Sequence, residues 1–373
     1  MTERPEIQQH RLRAISGEIS GSFGDLGTFL PYVVAIVGAG VLMPAPVFLG
    51  FAAGYAMVAL IYRVPIAVQP MKALGAMIIA GGLGVSEIAW SGAAIGLALL
   101  LFASNARFAN AARAIPQSVI TGLQAGLGLI LGWVALGLMA QHWGLAVPAL
   151  AVLALSLIAP RGPWVPVVLI AAVLLGPAQI PASQVIVAQG GSALGFIVSG
   201  IAAQLPLTLL NAVVVTAAVA RALYPNHAAR VSERRLAATT GILNLIFVPL
   251  GALPMCHGAG GVTAHHRFGA RGAAAPLLLA LLCGAGALAG PKVMDWLMRI
   301  PLPVVGALLL YAAADLVLSR RMFDARPDCR PVIGCAAVVT FFFGAFAGLI
   351  AGLLAETIRV HIKRGRRAES GDC

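Results

Sequence analysis

One lysine lies in apolar sequence, where a charged side chain is costly. Lys72 follows the segment 68–71 (VQPM), whose proline favours an extended chain before a helix that starts near Met71. A lysine at the bilayer centre costs at least about 2.5–3.5 kcal/mol on insertion scales, so it usually faces a cavity or an opposite charge. In the first helical turn its charge also adds to the positive end of the helix dipole, a conflict that a bound anion would relieve. Lys72 therefore predicts an anion site; pairing with Asp25 is the alternative, and the two are compatible.

A second proline-bearing segment, 253–261 (LPMCHGAGG), runs directly into a glycine-rich helix start. Pro254 lies 184 positions after Pro70 (254 − 70), close to half of the 373 residues. A hydrocarbon layer has no water to satisfy bare backbone amides, so an extended segment survives there only when it is buried in protein or lines a cavity. The free N–H groups and positive dipole end of the following helix form a ready anion site. Two helix-breaking segments in corresponding positions of two apolar halves point to a transporter's binding site.

Polar side chains in two other apolar spans are candidates to complete this site. Asp25 lies in a first span broken by glycines and a proline, and Thr28 follows it by three positions. If Asp25 is buried, its neutral form is favoured and it becomes a candidate proton carrier, whereas capping of local amides is the alternative. Gln204 occupies a comparable place in AQLPLT, a loose echo of GDLGT. Its amide could donate to an oxyanion, as could Thr28, with interhelical hydrogen bonding as the alternative.

Histidines near the second segment raise the question of a metal site. Cys256 and His257 are adjacent, while His265 and His266 point to different helix faces, no HExxH sequence occurs and no carboxylate is near. We therefore predict no metal; we expect His257 to sense or bind the anion, and His265 and His266 to belong to a basic cytoplasmic end. No nucleophile–base set assembles and no GxxxxGK[ST] sequence occurs, so neither an enzyme, a cofactor nor an ATP-driven pump is predicted.

The composition is that of an integral membrane protein. Hydrophobic residues make up 60% of the chain and charged residues 10%, against about 45–50% and about 25% in soluble domains. The net charge of +12 does not indicate nucleic-acid binding, because aromatic residues are only 6% and the basic residues fall at the ends of apolar runs. The five cysteines are scattered without paired spacing, so no disulfide framework is expected.

The order of apolar runs predicts an all-α polytopic membrane protein of about 14 transmembrane segments, arranged as seven plus seven inverted repeats. Each repeat holds one short strand and half-helix, and the two meet at the midplane. The predicted divisions are a cytoplasmic tail (1–14), a first repeat (15–176), a linker (177–193), a second repeat (194–361) and a cytoplasmic tail (362–373). With both termini cytoplasmic, most loop arginines fall on inner loops.

Three local boundaries follow from the same reading. An extended stretch is predicted over 64–70, where β-branched residues lie between two prolines, and a half-helix over 71–83. That half-helix is too short to cross alone, since a 30 Å core needs about 20 residues. A single uninterrupted span is predicted over 273–290.

Several blocks together resemble a known family. They are 22–28 (SFGDLGT), 68–72 (VQPMK), 204–211 (QLPLTLLN), 254–261 (PMCHGAGG) and 266–271 (HRFGAR). The blocks resemble the signatures of the molybdate transporter branch of the sulfate permease family, occur in that family's order, and extend the similarity over nearly the whole chain. The regulatory domain typical of sulfate permeases is not expected, because the chain ends shortly after Arg367.

The resemblance implies a core and a gate domain, with substrate held between the two half-helix starts and moved by an elevator-type motion. It implies that Asp25, Thr28, Lys72, Gln204, His257 and Gly258 line the site. With their neighbours, the candidate substrate-binding residues are Asp25, Thr28, Gln69, Pro70, Met71, Lys72, Gln204, Cys256, His257 and Gly258, and Asp25 is the candidate for proton coupling.

The expected function is secondary active transport of a tetrahedral oxyanion, molybdate first, coupled to protons and located in the inner (plasma) membrane. The expected partners are the oxyanion, protons and the lipid bilayer, with a homodimer as one option for the assembly. Sulfate, a bicarbonate-like anion and an anion channel remain alternatives, because sequence does not supply pocket dimensions.

Overall fold

The computed structural model describes residues 15–81, 83–105, 116–159, 164–175 and 192–369. The predicted tail 1–14, linker residues 177–191 and the last four residues of the tail 362–373 lie outside the described residues.

In the first half of the chain, the described residues form seven helices and one short strand. They are α1 (Ile15–Gly38, with a 3-10 turn at Phe23–Asp25), α2 (Pro44–Ile61), β1 (Val68–Pro70), α3 (Lys72–Ile79), α4 (Val85–Ser104), α5 (Gln117–Met139), α6 (Trp143–Ile158) and α7 (Trp164–Leu175). α3 is too short to span a membrane, and Gly81, at φ +79°, follows its end in a left-handed conformation that suits glycine.

The second half repeats this order. Its main elements are α8 (Ala193–Leu223), α9 (Glu233–Phe247), β2 (Met255–His257), α10 (Ala259–Arg267), α11 (Ala274–Leu288), α12 (Gly290–Leu297), α13 (Leu302–Val317), α14 (Arg330–Phe343) and α15 (Ala345–Glu369). Short turns of helix lie at Pro225–Arg230, Arg320–Phe323 and Pro327–Cys329. The strand and half-helix therefore occupy the same place in both halves.

The helices pack as two bundles. The core bundle consists of α1–α4 and α8–α11 around the two strands, with α2 against α11 and α4 against α9 as its broad contacts. The flanking bundle consists of α5–α7 and α13–α15, with α5 packed against both α13 and α14. The bundles meet where α1 contacts α13, α3 contacts α5, and α8 contacts α15. Each bundle thus draws helices from both halves of the chain.

By length and composition, six helices of the described chain can cross a membrane, or seven if the bent pair α11 and α12 is one span. The chain is mostly helical, and the helical, apolar character predicted from composition is confirmed. The count of fourteen crossings and the seven-plus-seven repeat stay predictions.

The structure differs from the expected local boundaries at four places. The strand is confined to Val68–Pro70 rather than 64–70, because β2 offers only three pairing residues. The half-helix ends at Ile79 rather than 83. The span predicted over 273–290 ends at Leu288, where the chain bends by 90° into α12. In addition, Thr208–Val215 of α8 forms a π-helix, two residues after Pro206.

Candidate functional site

The site is built on an antiparallel pairing of β1 with β2. Val68 pairs with His257, Gln69 with Cys256 and Pro70 with Met255. Because each strand runs directly into a helix, α3 and α10 leave opposite ends of this short ladder and run in opposite directions. The ladder is extended by the Met71 N–H, which donates to the Pro254 carbonyl at 2.8 Å.

A buried asparagine secures the outer edge of β2. Asn244 of α9 accepts from the Met255 N–H at 3.0 Å and donates to the Met255 carbonyl at 2.6 Å. An amide side chain offers the same donor and acceptor pair as a backbone peptide, so Asn244 takes the place of a third strand. Both backbone groups of Met255 are satisfied without water, as the membrane interior requires.

His257 links the two strands to α9. Its Nδ1 lies 3.0 Å from the Ala67 carbonyl, which can only accept, so Nδ1 carries the proton. Nε2 therefore accepts from the Thr239 hydroxyl at 2.8 Å, and Tyr62 contacts the same hydroxyl at 2.8 Å. The side chain is buried, and both ring nitrogens are engaged by protein groups. In this structure His257 supports the strand pair instead of presenting a free donor to the site.

Asp25 and Gln69 form a buried pair beside the start of α10. Gln69 Nε2 lies 2.7 Å from both carboxylate oxygens of Asp25, and the Thr28 side chain also hydrogen-bonds to this carboxyl group. Asp25 is 4% exposed. The pair lies against Gly258 and Gly261. A Cβ added to Gly258 would collide with the Gln69 side chain, and a Cβ added to Gly261 would lie 2.7 Å from Asp25 Cγ. A carboxyl group therefore sits at the positive end of the α10 dipole.

Substituting Gly261 by alanine should disrupt this pair. The new Cβ would be 2.6 Å from Gln69 Nε2 and would also collide with the Ala67 Cβ. Overpacking of this kind typically costs about 1–3 kcal/mol, so we expect a lower thermal midpoint in detergent and reduced uptake. Gly284→Ala is the matched control, because its Cβ meets nothing within 4 Å. Equal thermal midpoints for the two variants would contradict the close packing described for Gly261.

Gln204 caps the first turn of α3. Its Oε1 accepts from the N–H groups of Ala73 and Leu74, at 2.9 and 3.2 Å, and its Nε2 donates to Thr208 at 2.9 Å. The first four N–H groups of a helix lack intrahelical partners, so a buried half-helix needs such an acceptor. Of the two roles considered for Gln204, interhelical hydrogen bonding is the one present in this structure.

Lys72 is paired with a residue that the sequence analysis did not identify. Its Nζ lies 2.5 Å from Oδ2 of Asp315, on α13 of the flanking bundle. The predicted alternative, an ion pair between Lys72 and Asp25, is therefore wrong. The two side chains still interact through their charges at longer range. Asp315 could have been noticed as an acid in an apolar span, but no periodicity links α13 to α3.

The start of α10 is the open part of the site. Its N-cap residue is Gly258, which has no side chain to cap the first N–H groups. A Cβ added to Gly260 would meet nothing within 4 Å, and Gly260 and Thr263 are exposed on the same helix face. Among the candidate residues on the strands, Pro70, Met71 and Cys256 are buried and shape the ladder.

The remaining histidines behave differently from each other. His265, expected at a basic cytoplasmic end, is instead 1% exposed, with Nδ1 2.7 Å from the Gly21 carbonyl of α1. The close approach of α1 and α10 at Gly24 and Ala264 explains this burial. His266 is half-buried and stacks edge-on against Tyr224. Within the described residues, no group of three or more His, Cys, Asp or Glu could hold a metal ion.

The structure thus brings most of the predicted residues to one place. The Asp25, Thr28 and Gln69 cluster lies at the start of α10, and Lys72 and Gln204 lie at the start of α3. An arrangement of one ammonium group and two helix starts, of which that of α10 is open at Gly260, favours a small anion.

Comparison with solved structures supports a transporter fold. The transmembrane domain of a cyanobacterial bicarbonate transporter, BicA, superposes with a TM-score of 0.67 at 16% identity, covering 90% of this chain and 97% of that one. SLC26A9 superposes with a TM-score of 0.64 at 12% identity, covering 96% of this chain and 66% of that one. At these identities the likeness concerns the fold alone.

Sequence comparison is more specific. Molybdate transporter 1 of Arabidopsis thaliana is 27% identical, covering 91% of this chain and 87% of the relative, and molybdate transporter 2 of the same plant is 26% identical, covering 87% and 83%. The family model described as "Molybdate transporter of MFS superfamily" matches residues 17–131 and 196–316, more than half of the chain. This protein is a multi-pass membrane protein and belongs to that molybdate transporter family.

Proposed function

We propose that the protein is a secondary active transporter of a tetrahedral oxyanion, with molybdate as its substrate. The observation that supports this proposal is the pairing of β1 with β2, because α10 and α3, which carries Lys72 in its first turn, both begin directly after these strands. The names of the sequence relatives support molybdate. Sulfate is the nearest competitor, because it is also a tetrahedral dianion.

The electrostatics suit a dianion more than a neutral solute. Each helix start carries roughly half a positive charge and Lys72 a full one, and this charge acts on an anion when Asp25 is protonated and Asp315 is withdrawn from Lys72. Two unit charges 4 Å apart interact by about 4 kcal/mol at an effective dielectric constant of 20, and a dianion doubles that energy. The open N–H groups near Gly260 can donate to the oxygens, whereas Gln204, Asp25 and Gln69 position the two helix starts.

Transport would proceed by movement of the core bundle against the flanking bundle, which then acts as the gate. The repeated order of helix, helix, strand and half-helix supports two inverted repeats of seven segments, 15–176 and 194–361, joined by 177–193. An odd number of crossings in each repeat would place both termini on one side, and the arginine distribution favours the cytoplasm for that side. The plasma membrane is the proposed location. For the assembly, a homodimer is proposed.

Proton coupling is assigned to Asp25. Its carboxyl group is buried in the core bundle and hydrogen-bonded by Gln69 and Thr28, beside the start of α10, so it is placed to carry a proton together with the anion. Asp25→Asn removes the titrating group at nearly constant volume. We expect molybdate uptake by this variant to lose its stimulation by an inward proton gradient. Acid-stimulated accumulation equal to that of the unmodified protein would dismiss Asp25 as the proton carrier.

The proposal is tested by uptake into proteoliposomes. The purified protein should accumulate labelled molybdate with saturable kinetics, and unlabelled molybdate should compete better than sulfate, and both better than bicarbonate. Preference for bicarbonate would replace the proposed substrate, and fluxes that do not saturate would indicate a channel. Liposomes without protein provide the control.

A further inference from the structure

Among the described residues, an ion pair between Lys72 and Asp315 joins the core bundle to the flanking bundle. Lys72 lies in the first turn of α3, and Asp315 lies in the last turn of α13. The Lys72 side chain is 23% exposed and the Asp315 side chain 62% exposed. One partner is thus largely enclosed by the core bundle, and the other is largely accessible.

The packing of α13 directs Asp315 toward the core bundle. Tyr311, one turn earlier on the same face, approaches Gly27 of α1. The opposite face of α13 packs against α5, where Ala313 and Leu316 contact Gly128. Asp315 therefore belongs to the surface of the flanking bundle that must move relative to α1 and α3 during transport.

The charges at this place conflict with anion binding. Two carboxyl groups, Asp25 and Asp315, share the field of a single ammonium group, Lys72. When both acids are ionised, their charges and that of Lys72 sum to −1, and this net charge repels the transported anion. A dianion can contact Lys72 fully only if the Asp315 carboxylate withdraws. The exposed Asp315 side chain has room to leave Lys72.

We propose that Asp315 competes with the transported anion for Lys72, so that anion binding breaks the ion pair joining the two bundles. This inference rests on the proposed function and adds a specific residue to it. The oxyanion takes the place of the carboxylate at Nζ, and the core bundle is released from α13 at the same moment. Substrate affinity is lowered by the stability of the ion pair, and movement is tied to occupancy of the site.

Binding of molybdate to purified protein tests the competition. Asp315→Asn removes the competing charge, and we expect the dissociation constant for molybdate to fall by about three- to tenfold. Asp315→Glu, which can still reach Lys72, should return the constant toward that of the unmodified protein. Asp295→Asn, an exposed acid on α12, controls for loss of a charge elsewhere. An unchanged or raised constant in Asp315→Asn would overturn the inference.

A second measurement avoids dependence on the folding of a variant. Carbodiimide labelling of the unmodified protein, read by mass spectrometry, should modify Asp315 more when molybdate is added, because the carboxylate leaves its ion pair. Unchanged labelling at saturating molybdate would also overturn the inference. If the unmodified protein binds no molybdate at all, it is the proposed function that fails, so the two failures are distinguishable.

Discussion

Replacing Lys72 by alanine is expected to abolish molybdate uptake while the protein still inserts and folds. The substitution removes the full positive charge at the start of α3 and leaves Asp315, its partner at 2.5 Å, as an unpaired carboxylate facing the site. Loss of one member of a charge-assisted contact costs about 2–5 kcal/mol, which corresponds to a loss of at least about thirtyfold in affinity. Lys72→Gln should behave similarly, because it keeps length without charge.

The measurement is equilibrium binding and uptake of labelled molybdate by purified protein. Lys292→Ala, an exposed lysine on α12, is the matched control and should bind normally. The double variant Lys72→Ala with Asp315→Asn separates two causes. If affinity recovers fully in the double variant, the repulsive carboxylate, and not the missing ammonium group, caused the loss. An unchanged affinity in Lys72→Ala would remove Lys72 from the site.

Replacing Gln204 by leucine is expected to cause the second large effect. Leucine has no acceptor for the N–H groups of Ala73 and Leu74, which would then be buried without partners. Each unsatisfied buried group costs about 1–3 kcal/mol, so the start of α3 should loosen and carry Lys72 out of position. We expect a lowered thermal midpoint together with loss of molybdate binding.

Gln204→Glu distinguishes capping from direct contact with substrate. A glutamate keeps the acceptor oxygens, so α3 should stay capped and the thermal midpoint should remain close to that of the unmodified protein. Its negative charge should still weaken binding of a dianion. If Gln204→Leu retains both stability and binding, the capping role derived from the structure is contradicted.

The segments that form the centre of the fold could be predicted from the sequence. A proline followed by methionine, placed in corresponding halves of an apolar chain, predicted two strand and half-helix units, and these pair directly. Such a prediction succeeds because the membrane restricts backbone conformation strongly: the backbone groups of an extended segment there must find partners within the protein. The resemblance to the molybdate transporter branch, carried by the same segments, is likewise confirmed.

The partners of individual side chains could not be predicted in the same way. Asp315 lies 243 positions after Lys72, and the packing of α13 against α1 brings the two together. Similarly, His257 was expected to meet the anion because it stands at a helix start. Its ring is instead engaged by Ala67 and Thr239, since β2 lies between β1 and α9.

Gln69 illustrates a related difficulty. In sequence it is one polar residue beside a proline, and its side chain shows no periodic signal. In the structure its amide contacts both oxygens of Asp25, and Gly258 and Gly261 leave just enough room for it. The requirement for glycine at these positions comes from the side chain of Gln69, which lies 189 positions before Gly258 (258 − 69). Sequence spacing alone does not indicate this contact.

The most direct test of the binding site uses the substrate's own metal atom. A structure determined with bound molybdate, with diffraction recorded at the molybdenum absorption edge, should show an anomalous peak between the starts of α3 and α10. That peak should lie close to Lys72 Nζ and to the N–H groups of residues 259–261. A peak elsewhere in the protein, or no peak in crystals of protein saturated with molybdate, would contradict the account.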